Sequence, residues 1–300
     1  MSRRLLLTGA TGFVGRYVME AVENHGFPAD ETIVFPPSHD LRDGAATQAF
    51  VAENKPDLVV HLAAQSFIPR SISDPEETYA VNVMGTLHLL EALSSAGFDG
   101  RFLYVSSGDV YGRVSDESLP VNGATVASPA NPYASSKLAA EELCLQWGRR
   151  LGRDVLIARP FNHIGPFQSD RFVVPSLASQ IVAIKAGAQA PVLDVGDIES
   201  TRDFTDVRDV VDAYAKILEF GQPGKRYIVA SGIERKVSEI LAELLRLADV
   251  EAEVRRDPAR FRPAEQRRMA ADAAETTRDT GWVRKIEFTQ TLNDILKAVR

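Results

Sequence analysis

The sequence predicts an α/β fold in which a doubly wound parallel sheet is followed by a smaller C-terminal α/β lobe. Segments typical of strands and of helices alternate through the first half of the chain, the pattern of a parallel sheet with helices on both faces. A glycine-rich turn joins the first strand to the first helix. After about Asn162 the alternation becomes irregular, which predicts a lobe of different architecture.

The elements of the first half can be assigned in order. The first helix has apolar residues at positions i, i+3, i+4, i+7 and i+8, so one of its faces is expected to be buried. These residues are Val14, Tyr17, Val18, Ala21 and Val22. The predicted strands and helices follow in pairs: "RLLLTG" and "FVGRYVMEAVENHG", "DLVVHLAA" and "SDPEETYAVNVMGTLHLLEALSSAG", "RFLYVSS" and "YASSKLAAEELCLQWGRRLG", then a last strand, "DVLIARPFN".

The second half predicts helices at "FVVPSLASQIVAIKAG", "DVRDVVDAYAKILEFG" and "VSEILAELLRLADV", with short strands at "PVLDVG" and "RYIVAS". We expect a dinucleotide-binding sheet domain over residues 1–161, to which some later segments return, and a lobe formed mainly by residues 162–300. No linker rich in Gly, Ser or Pro separates the two, so their boundary should be a cleft.

Composition excludes several classes of function. The chain has 300 residues, 45% of them hydrophobic, which is enough for a large core. Its formal net charge of -7 gives no electrostatic reason to expect nucleic acid or an anionic membrane as a partner. The single cysteine, Cys144, rules out an internal disulfide and fits a reducing, cytoplasmic location. The chain contains no apolar run near the roughly 20 residues of a membrane-spanning helix, and its N-terminal apolar stretch is too short for a signal peptide.

The turn "TGATGFVG" places Gly9, Gly12 and Gly15 between the first strand and the first helix. Glycines there permit a tight turn, close approach of backbone N–H groups to a pyrophosphate, and close packing of helix on strand. The spacing is GxxGxxG rather than GxGxxG, and a turn of this kind can also serve packing alone. Its place between a strand and an amphipathic helix favours dinucleotide binding.

The second strand, "TIVFPP", ends in Pro36 and Pro37 and offers no carboxylate for a ribose 2′-hydroxyl. Arg16, directly after the last glycine of the turn, is available to pair with a 2′-phosphate, although a solvated helix arginine is an equally good interpretation. The pattern favours NADP(H) as cofactor, with NAD(H) as the alternative.

Two further segments contain candidate catalytic groups. "LYVSSGDVYG" places Ser106 and Ser107 at the end of a central strand, where open parallel sheets bind ligands. "NPYASSK" places Tyr133 and Lys137 four residues apart, on one helix face. A lysine ammonium near the phenol should lower its pKa, which suits a general acid or base. Each segment alone is compatible with turn residues or a solvated helix face, but their common occurrence in this order favours catalysis.

The set "TGATGFVG", "DLRD", "HLAAQS", "NVMGT", "SSGDVYG", "YASSK" and "RPFNHIGP" resembles the extended short-chain dehydrogenase/reductase family, a Rossmann-type family, over almost the whole chain. The resemblance implies a catalytic triad of Ser107, Tyr133 and Lys137, because the family's catalytic Ser/Thr lies four residues before the tyrosine of "VYG". It also implies an adenine site at Asp40 and Leu41. The implied cofactor contacts are Gly9, Thr11, Gly12, Phe13, Val14, Gly15, Arg16, Asp40, Leu41, Leu62, Ala63, Ala64, Tyr133 and Lys137.

The second half resembles the GDP-sugar branch of that family, which contains GDP-mannose dehydratases and GDP-4-keto-6-deoxy-D-mannose reductases. The similar segments are "FNHIGPFQSDRFVVPSLASQI", "VGDIESTRDFTDVRDVVDAY" and "RFRPAEQRR". If Arg202 or Arg262 is considered alone, a surface salt bridge is the default interpretation. An acidic protein that binds a diphosphate, however, needs a few fixed guanidinium groups, which can engage it bidentately. The implied contacts to a sugar nucleotide are Ser107, Asp109, Asn162, Val173, Arg202, Arg262 and Glu265.

Dehydratases of this family usually place an acidic or hydroxyl residue and then Glu directly after the catalytic Ser/Thr. Here those positions hold Gly108 and Asp109, whereas simple carbonyl reduction needs neither group. We therefore expect reduction of the C4 ketone of GDP-4-keto-6-deoxy-D-mannose to GDP-D-rhamnose. The alternatives are a GDP-mannose 4,6-dehydratase, bifunctional or not, and a non-catalytic nucleotide sensor; retention of Tyr133 and Lys137 disfavours the sensor.

His163 has no acid/base partner visible in the sequence, so we interpret it as a hydrogen-bonded structural histidine. The other histidines lack the spacing of metal ligands, and no metal site is predicted. The family resemblance implies a homodimer formed by paired helices, and the segments "NVMGTLHLLEAL" and "SSKLAAEELCLQW" are apolar enough to pair.

Overall fold

Six parallel strands form the central sheet, in the order β2-β1-β3-β4-β5-β9. The computed structural model describes residues 2–257 and 266–299. Five strands come from the first half of the chain and β9 from the second, which confirms the doubly wound parallel sheet. Their bounds are β1 Arg4–Thr8, β2 Glu31–Val34, β3 Leu58–His61, β4 Arg101–Val105, β5 Asp154–Pro160 and β9 Arg226–Val229.

Helices cover both faces of the sheet because its strands are apolar on both sides. Leu5 and Leu7 point into the core beneath α1 and α8, and Leu6 between them points into the core beneath α2, α5 and α6. The predicted apolar stripe of α1 is confirmed, because all five of its residues are buried in, or pack against, the core between the sheet, α1 and α8. The bounds are α1 Phe13–Glu23, α2 Gly44–Asn54, α5 Gly85–Ser95, α6 Pro132–Leu151 and α8 Val207–Phe220.

The segment expected to form one helix after β3 is interrupted. Helix α4, Pro75–Tyr79, continues through a π-helical turn at Ala80–Met84 into α5. Asn82 lies in this turn; its Oδ1 accepts from the Gln65 N–H at 2.8 Å and its Nδ2 donates to the Gln65 carbonyl at 3.0 Å and to Ser136 Oγ at 2.9 Å. The extra residue of the turn thus lets one side chain hold the loop after β3 against α6.

The second lobe has two small sheets. The strand β8, Thr201–Asp206, pairs with β6 in parallel and with β10 antiparallel, and β11 pairs with β7 in parallel. Helices α7, α9 and α11 enclose a third core between these sheets. The remaining bounds are β6 Asn162–Ile164, β7 Val192–Val195, β10 Glu234–Lys236, β11 Glu253–Arg256, α3 Ile68–Ser73, α7 Val173–Lys185, α9 Val237–Ala248, α10 Ala274–Thr280 and α11 Phe288–Ala298.

Over residues 2–257 and 266–299, none of the helices combines the length and the apolar character needed to span a bilayer.

Candidate active site

A cleft of about 1560 Å³ runs along the carboxyl edge of the central sheet and is lined by both lobes. Single-ligand pockets typically measure about 300–1,000 Å³. The cleft therefore has room for two ligands side by side. It contains the glycine-rich turn at one end, the ends of β4 and β5 in the middle, and residues of β6, α7 and β8 on the opposite wall.

The glycine-rich turn presents backbone rather than side chains to the cleft. Gly9 has φ of +74°, and a Cβ on it would lie 2.8 Å from the Ala63 nitrogen. A Cβ on Gly15 would lie 2.3 Å from the Gly9 carbonyl oxygen, so the first turn of α1 packs directly on the loop. The N-terminus of α1 has no side-chain cap and no acidic residue in its first turn. Its free N–H groups therefore suit an anion such as a pyrophosphate.

Most of the residues expected to contact the cofactor line this cleft. Three do not: Arg16 is exposed outside it, Leu41 is buried in the core beneath α5, and Asp40 forms an ion pair with Arg42. That guanidinium holds the pKa of the Asp40 carboxyl below its usual range. The adenine contacts of Asp40 and Leu41 and the 2′-phosphate contact of Arg16 stay predictions. The lining includes Gly9, Thr11, Gly12, Phe13, Val14, Gly15, Leu62, Ala63, Ala64, Tyr133 and Lys137.

The three candidate catalytic side chains meet at the end of β4. Ser107 caps the 3₁₀ turn Gly108–Tyr111, and its Oγ accepts from the Asp109 N–H at 3.1 Å. Tyr133 and Lys137 project from the first turns of α6, whose N-terminus is capped by Asn131. Lys137 Nζ donates to the Val105 carbonyl at 2.7 Å and lies 4.8 Å from the centre of the Tyr104 ring. Ser107, Tyr133 and Lys137 all line the cleft.

The electrostatics of this group differ from the sequence-based expectation. Burial, reinforced by the nearby Asp109 carboxylate, raises the pKa of Tyr133, and a hydrogen bond with Ser107 lowers it only in part. The prediction that Lys137 lowers this pKa is wrong for this structure, because the ammonium is directed to a backbone carbonyl and burial dominates. A phenol with a raised pKa stays protonated near neutral pH. It is thus ready to donate a proton to an oxygen that gains negative charge.

His61 lies between the glycine-rich turn and this site, and sequence reasoning gave it no role. Its Nδ1 accepts a hydrogen bond from Thr8 Oγ1 at 2.6 Å, and its Nε2 donates one to Thr86 Oγ1 at 2.9 Å. This tautomer follows because the Thr86 hydroxyl already donates to the Asn82 carbonyl and must accept from His61, while the Thr8 hydroxyl accepts from the Ala63 N–H and is free to donate. Burial, aided by the charge of Lys137, lowers the pKa of His61 to about 3. The ring is therefore neutral and acts as a fixed hydrogen-bond bridge.

Four predicted substrate residues line the cleft: Asp109 lies beside Ser107, and Asn162, Val173 and Arg202 lie on the opposite wall. Arg202 donates to the carbonyls of Thr201 at 2.6 Å and Arg267 at 3.4 Å. None of the ion pairs found in the described part of the chain includes Arg202. Its guanidinium is consequently available to an anion in the cleft. Arg262 and Glu265 lie outside the described residues.

Gly108 is packed against an aromatic stack. A Cβ on Gly108 would lie 3.0 Å from three atoms of the Phe161 ring. Phe161 stacks on Tyr111 with 6.1 Å between ring centres, and Arg159 covers the other ring at 5.0 Å. The Arg159 guanidinium is held in turn by the fully buried Glu141 through bonds of 2.9 and 2.7 Å. A buried ion pair thus fixes the aromatic stack that packs against Gly108.

Two contacts join the N-terminal part of α1 to β6 and to the loop after it. Phe13 stacks on His163 with 6.1 Å between ring centres and 5° between planes, and Tyr17 Oη donates to the Pro166 carbonyl at 2.9 Å. His163 has the hydrogen bond expected of it, between Nδ1 and the Phe161 carbonyl at 3.0 Å, and burial lowers its pKa. Pattern analysis missed the stack because no sequence signal links residues so far apart.

In the part of the chain that the structure describes, no group of three or more His, Cys, Asp or Glu side chains is placed to hold a metal ion.

Comparisons with known proteins agree with the geometry of the candidate active site. A family model described as GDP-mannose 4,6 dehydratase matches residues 6–295. The chain belongs to this family. It is 47% identical to a protein named GDP-6-deoxy-D-mannose reductase from Pseudomonas aeruginosa, over 99% of this chain and 97% of that one. The resemblance to the GDP-sugar branch is confirmed.

Other relatives in this family differ in their stated activities. A structure of RMD from Pseudomonas aeruginosa complexed with NADPH superposes with a TM-score of 0.93 at 45% identity, covering 99% of this chain and 98% of that chain. A dTDP-glucose 4,6-dehydratase from Xanthomonas campestris is 30% identical over 95% of this chain and 90% of its own. Family membership alone therefore does not decide between reduction and dehydration.

The buried Lys137 predicts an unusual dependence of stability on pH. Burial lowers its pKa from 10.5 to about 8 in the folded protein. Between these values the unfolded chain binds more protons, so the free energy of unfolding rises with pH. Relative to Lys137→Met, the wild type should gain on the order of 2 kcal/mol between about pH 8 and about pH 10. Urea unfolding of both proteins at matched ionic strength measures this difference; parallel curves would contradict it.

Proposed function

We propose that this protein reduces the C4 ketone of GDP-4-keto-6-deoxy-D-mannose with NADPH and releases GDP-D-rhamnose. The relative named GDP-6-deoxy-D-mannose reductase and the structure of RMD complexed with NADPH support the reaction class and the cofactor. The observation that decides between reduction and dehydration is Gly108. It stands beside the catalytic serine, has no acid or hydroxyl group, and is closely packed by Phe161.

The cleft fits the cofactor. The pyrophosphate would bind at the open N-terminus of α1, where Gly12, Phe13, Val14 and Gly15 line the cleft. The nicotinamide would then extend toward Tyr133 and Lys137 at the far side of the same cleft. When bound, NADPH supplies the hydride that C4 receives.

The residues of the chain supply the proton and hold the ketone. Ser107 donates a hydrogen bond to the ketone oxygen, and Tyr133, protonated because burial raises its pKa, transfers its phenolic proton to that oxygen. The C=O double bond becomes C–OH with one hydride and one proton added. A proton from solvent then converts the remaining phenolate back to the phenol, while Lys137, bonded to the Val105 carbonyl, holds α6 and its Tyr133 at the end of β4.

The substrate residues follow from the charge on the opposite wall. Arg202 forms none of the ion pairs found among the described residues, although Asp109 and Asp197 act on it electrostatically. In a protein of net charge -7, its guanidinium suits the diphosphate. Asn162 and Val173 line the same wall and would contact the sugar nucleotide. Arg262 and Glu265, as further contacts, rest on the sequence resemblance alone.

Dehydration of GDP-mannose is the second candidate, and two observations favour it. The family model is named for that activity, and Asp109 lies close enough to Tyr133 to raise its pKa. Loss of water, however, needs an acid for the departing hydroxyl and a base for the neighbouring proton in addition to the redox tyrosine. Asp109 can provide one such group, whereas Gly108 provides none and an added side chain would press on Phe161.

A substrate assay separates these candidates. With GDP-4-keto-6-deoxy-D-mannose, the protein should oxidise NADPH stoichiometrically with formation of a 6-deoxy sugar nucleotide. With GDP-mannose and catalytic NADP⁺ it should form no 4-keto product, because dehydration needs two acid/base groups besides Tyr133, and Gly108 provides none in addition to Asp109. Chromatography of the sugar nucleotides measures both. A 4-keto product from GDP-mannose would contradict assignment as a reductase alone.

A variant of Arg202 in the same assay tests whether this residue binds the diphosphate. Arg202→Gln should raise KM for the keto sugar by roughly 10- to 100-fold with little change in kcat, since a charge-assisted pair to the diphosphate is worth about 1.5–3 kcal/mol. A loss confined to kcat would assign Arg202 to the chemical step instead.

We also propose that the protein is a cytoplasmic homodimer. Helices α2, α5 and α6 form a groove of about 480 Å³ on the face away from the cleft, lined by Leu87, Glu91, Leu143, Gln146 and Arg150. Helices α5 and α6 contain the apolar segments that are expected to pair. Sedimentation equilibrium should give twice 32.8 kDa; the mass of one chain would contradict pairing. Recovery of the protein outside the cytoplasm on cell fractionation would contradict the location.

A further inference from the structure

Two hydroxyl groups in the cleft lack hydrogen-bond partners. Ser106 Oγ and Tyr214 Oη have none in the described part of the chain, although Ser106 is only 3% exposed and Tyr214 0%. Both residues line the cleft. Folded proteins rarely leave a buried hydroxyl unpaired, because it has lost its hydrogen bonds to water without replacing them. Two such groups on one cleft indicate that a ligand completes them.

These hydroxyls lie at the reacting end of the cleft. Ser106 follows the last residue of β4 and directly precedes the catalytic Ser107. Tyr214 lies on α8, the helix that packs beneath β4 and β5. The phenolate form of Tyr133 contributes to the raised pKa of Tyr214, so the two phenols lie within electrostatic range. The two hydroxyls therefore lie close to where the ketone is reduced.

At the reacting end of the cleft, one polar group of the bound ligands still lacks hydrogen-bond partners. The ketone oxygen already has Ser107 and Tyr133, and the reactive ring of the cofactor bears a carboxamide with one acceptor oxygen and two N–H donors. A hydroxyl can both donate and accept, so a pair of hydroxyls matches an amide. We propose that Ser106 and Tyr214 bind the carboxamide of the nicotinamide, an inference that rests on the proposed use of NADPH.

This assignment gives the two residues a positioning role. Neither exchanges a proton with the substrate: burial raises the pKa of the Tyr214 phenol, which keeps it neutral, and a serine hydroxyl does not ionise. Bonds to the carboxamide would fix the rotation of the ring about its ribose bond. They would therefore select which face of the ring is turned toward Tyr133 and the sugar.

Binding measurements test this without turnover. Tyr214→Phe and Ser106→Ala should each weaken NADPH roughly 5- to 30-fold by calorimetry, about 1–2 kcal/mol. Each should leave the melting temperature of the ligand-free protein unchanged or higher, because an unpaired buried hydroxyl is removed. The analogue with acetylpyridine in place of nicotinamide lacks the amide N–H groups. The wild type should prefer NADPH over this analogue, and both variants should lose that preference.

Thr205→Val is the matched control. Thr205 is also buried, at 2% exposed, and its hydroxyl is also unpaired, but it does not line the cleft. This variant should change the melting temperature in the same way and bind NADPH like the wild type. Variants at Tyr214 and Ser106 that bind both cofactors as the wild type does would overturn the proposal. If the wild type binds NADPH but reduces no keto sugar, the proposed reaction is wrong. The binding comparison between the wild type and the variants still tests the carboxamide site.

Discussion

The hydrogen bond from the Lys137 ammonium to the Val105 carbonyl ties helix α6 to the carboxyl end of β4, and the candidate site depends on it. Ser106 and Ser107 directly follow Val105, and Tyr133 lies one helical turn before Lys137. One bond of 2.7 Å therefore sets the separation of the serines from the phenol. The central sheet and the capped start of α6 bring its two partners together, and the rest of the cleft is arranged around them.

Burial of Lys137 and Tyr133 makes the lysine charge unfavourable and keeps the phenol protonated for proton transfer. The same desolvation that lowers the pKa of Lys137 to about 8 raises that of Tyr133, so the lysine carries its charge at some expense while the phenol stays protonated. His61 stays neutral beside them. A protonated phenol beside neutral serine hydroxyls suits a reaction in which negative charge develops on a ketone oxygen, and the Asp109 carboxylate nearby helps to keep that phenol protonated. The Arg202 guanidinium on the opposite wall adds a positive charge that suits a diphosphate.

Local patterns in the sequence were enough to predict the sheet, the glycine-rich turn, the shared helix face of Tyr133 and Lys137, and their position near Ser107, because each depends on short-range spacing. Contacts between distant segments were not predictable. The π-helical turn depends on Asn82 meeting Gln65 and Ser136, and the packing of Gly108 depends on Phe161. Tyr214 lies on a helix that was predicted, but helical spacing does not reveal that its hydroxyl is buried in the cleft. The pKa of Tyr133 was predicted in the wrong direction because spacing says nothing of burial.

The central claim is that Tyr133 gives its proton to a sugar ketone. The most direct measurement is the rate of NADPH oxidation in a single turnover with GDP-4-keto-6-deoxy-D-mannose, for the wild type and Tyr133→Phe, with both proteins saturated in cofactor. The account predicts a fall of about 10²- to 10⁴-fold in that rate, with NADPH still bound. An unchanged rate in Tyr133→Phe would contradict it.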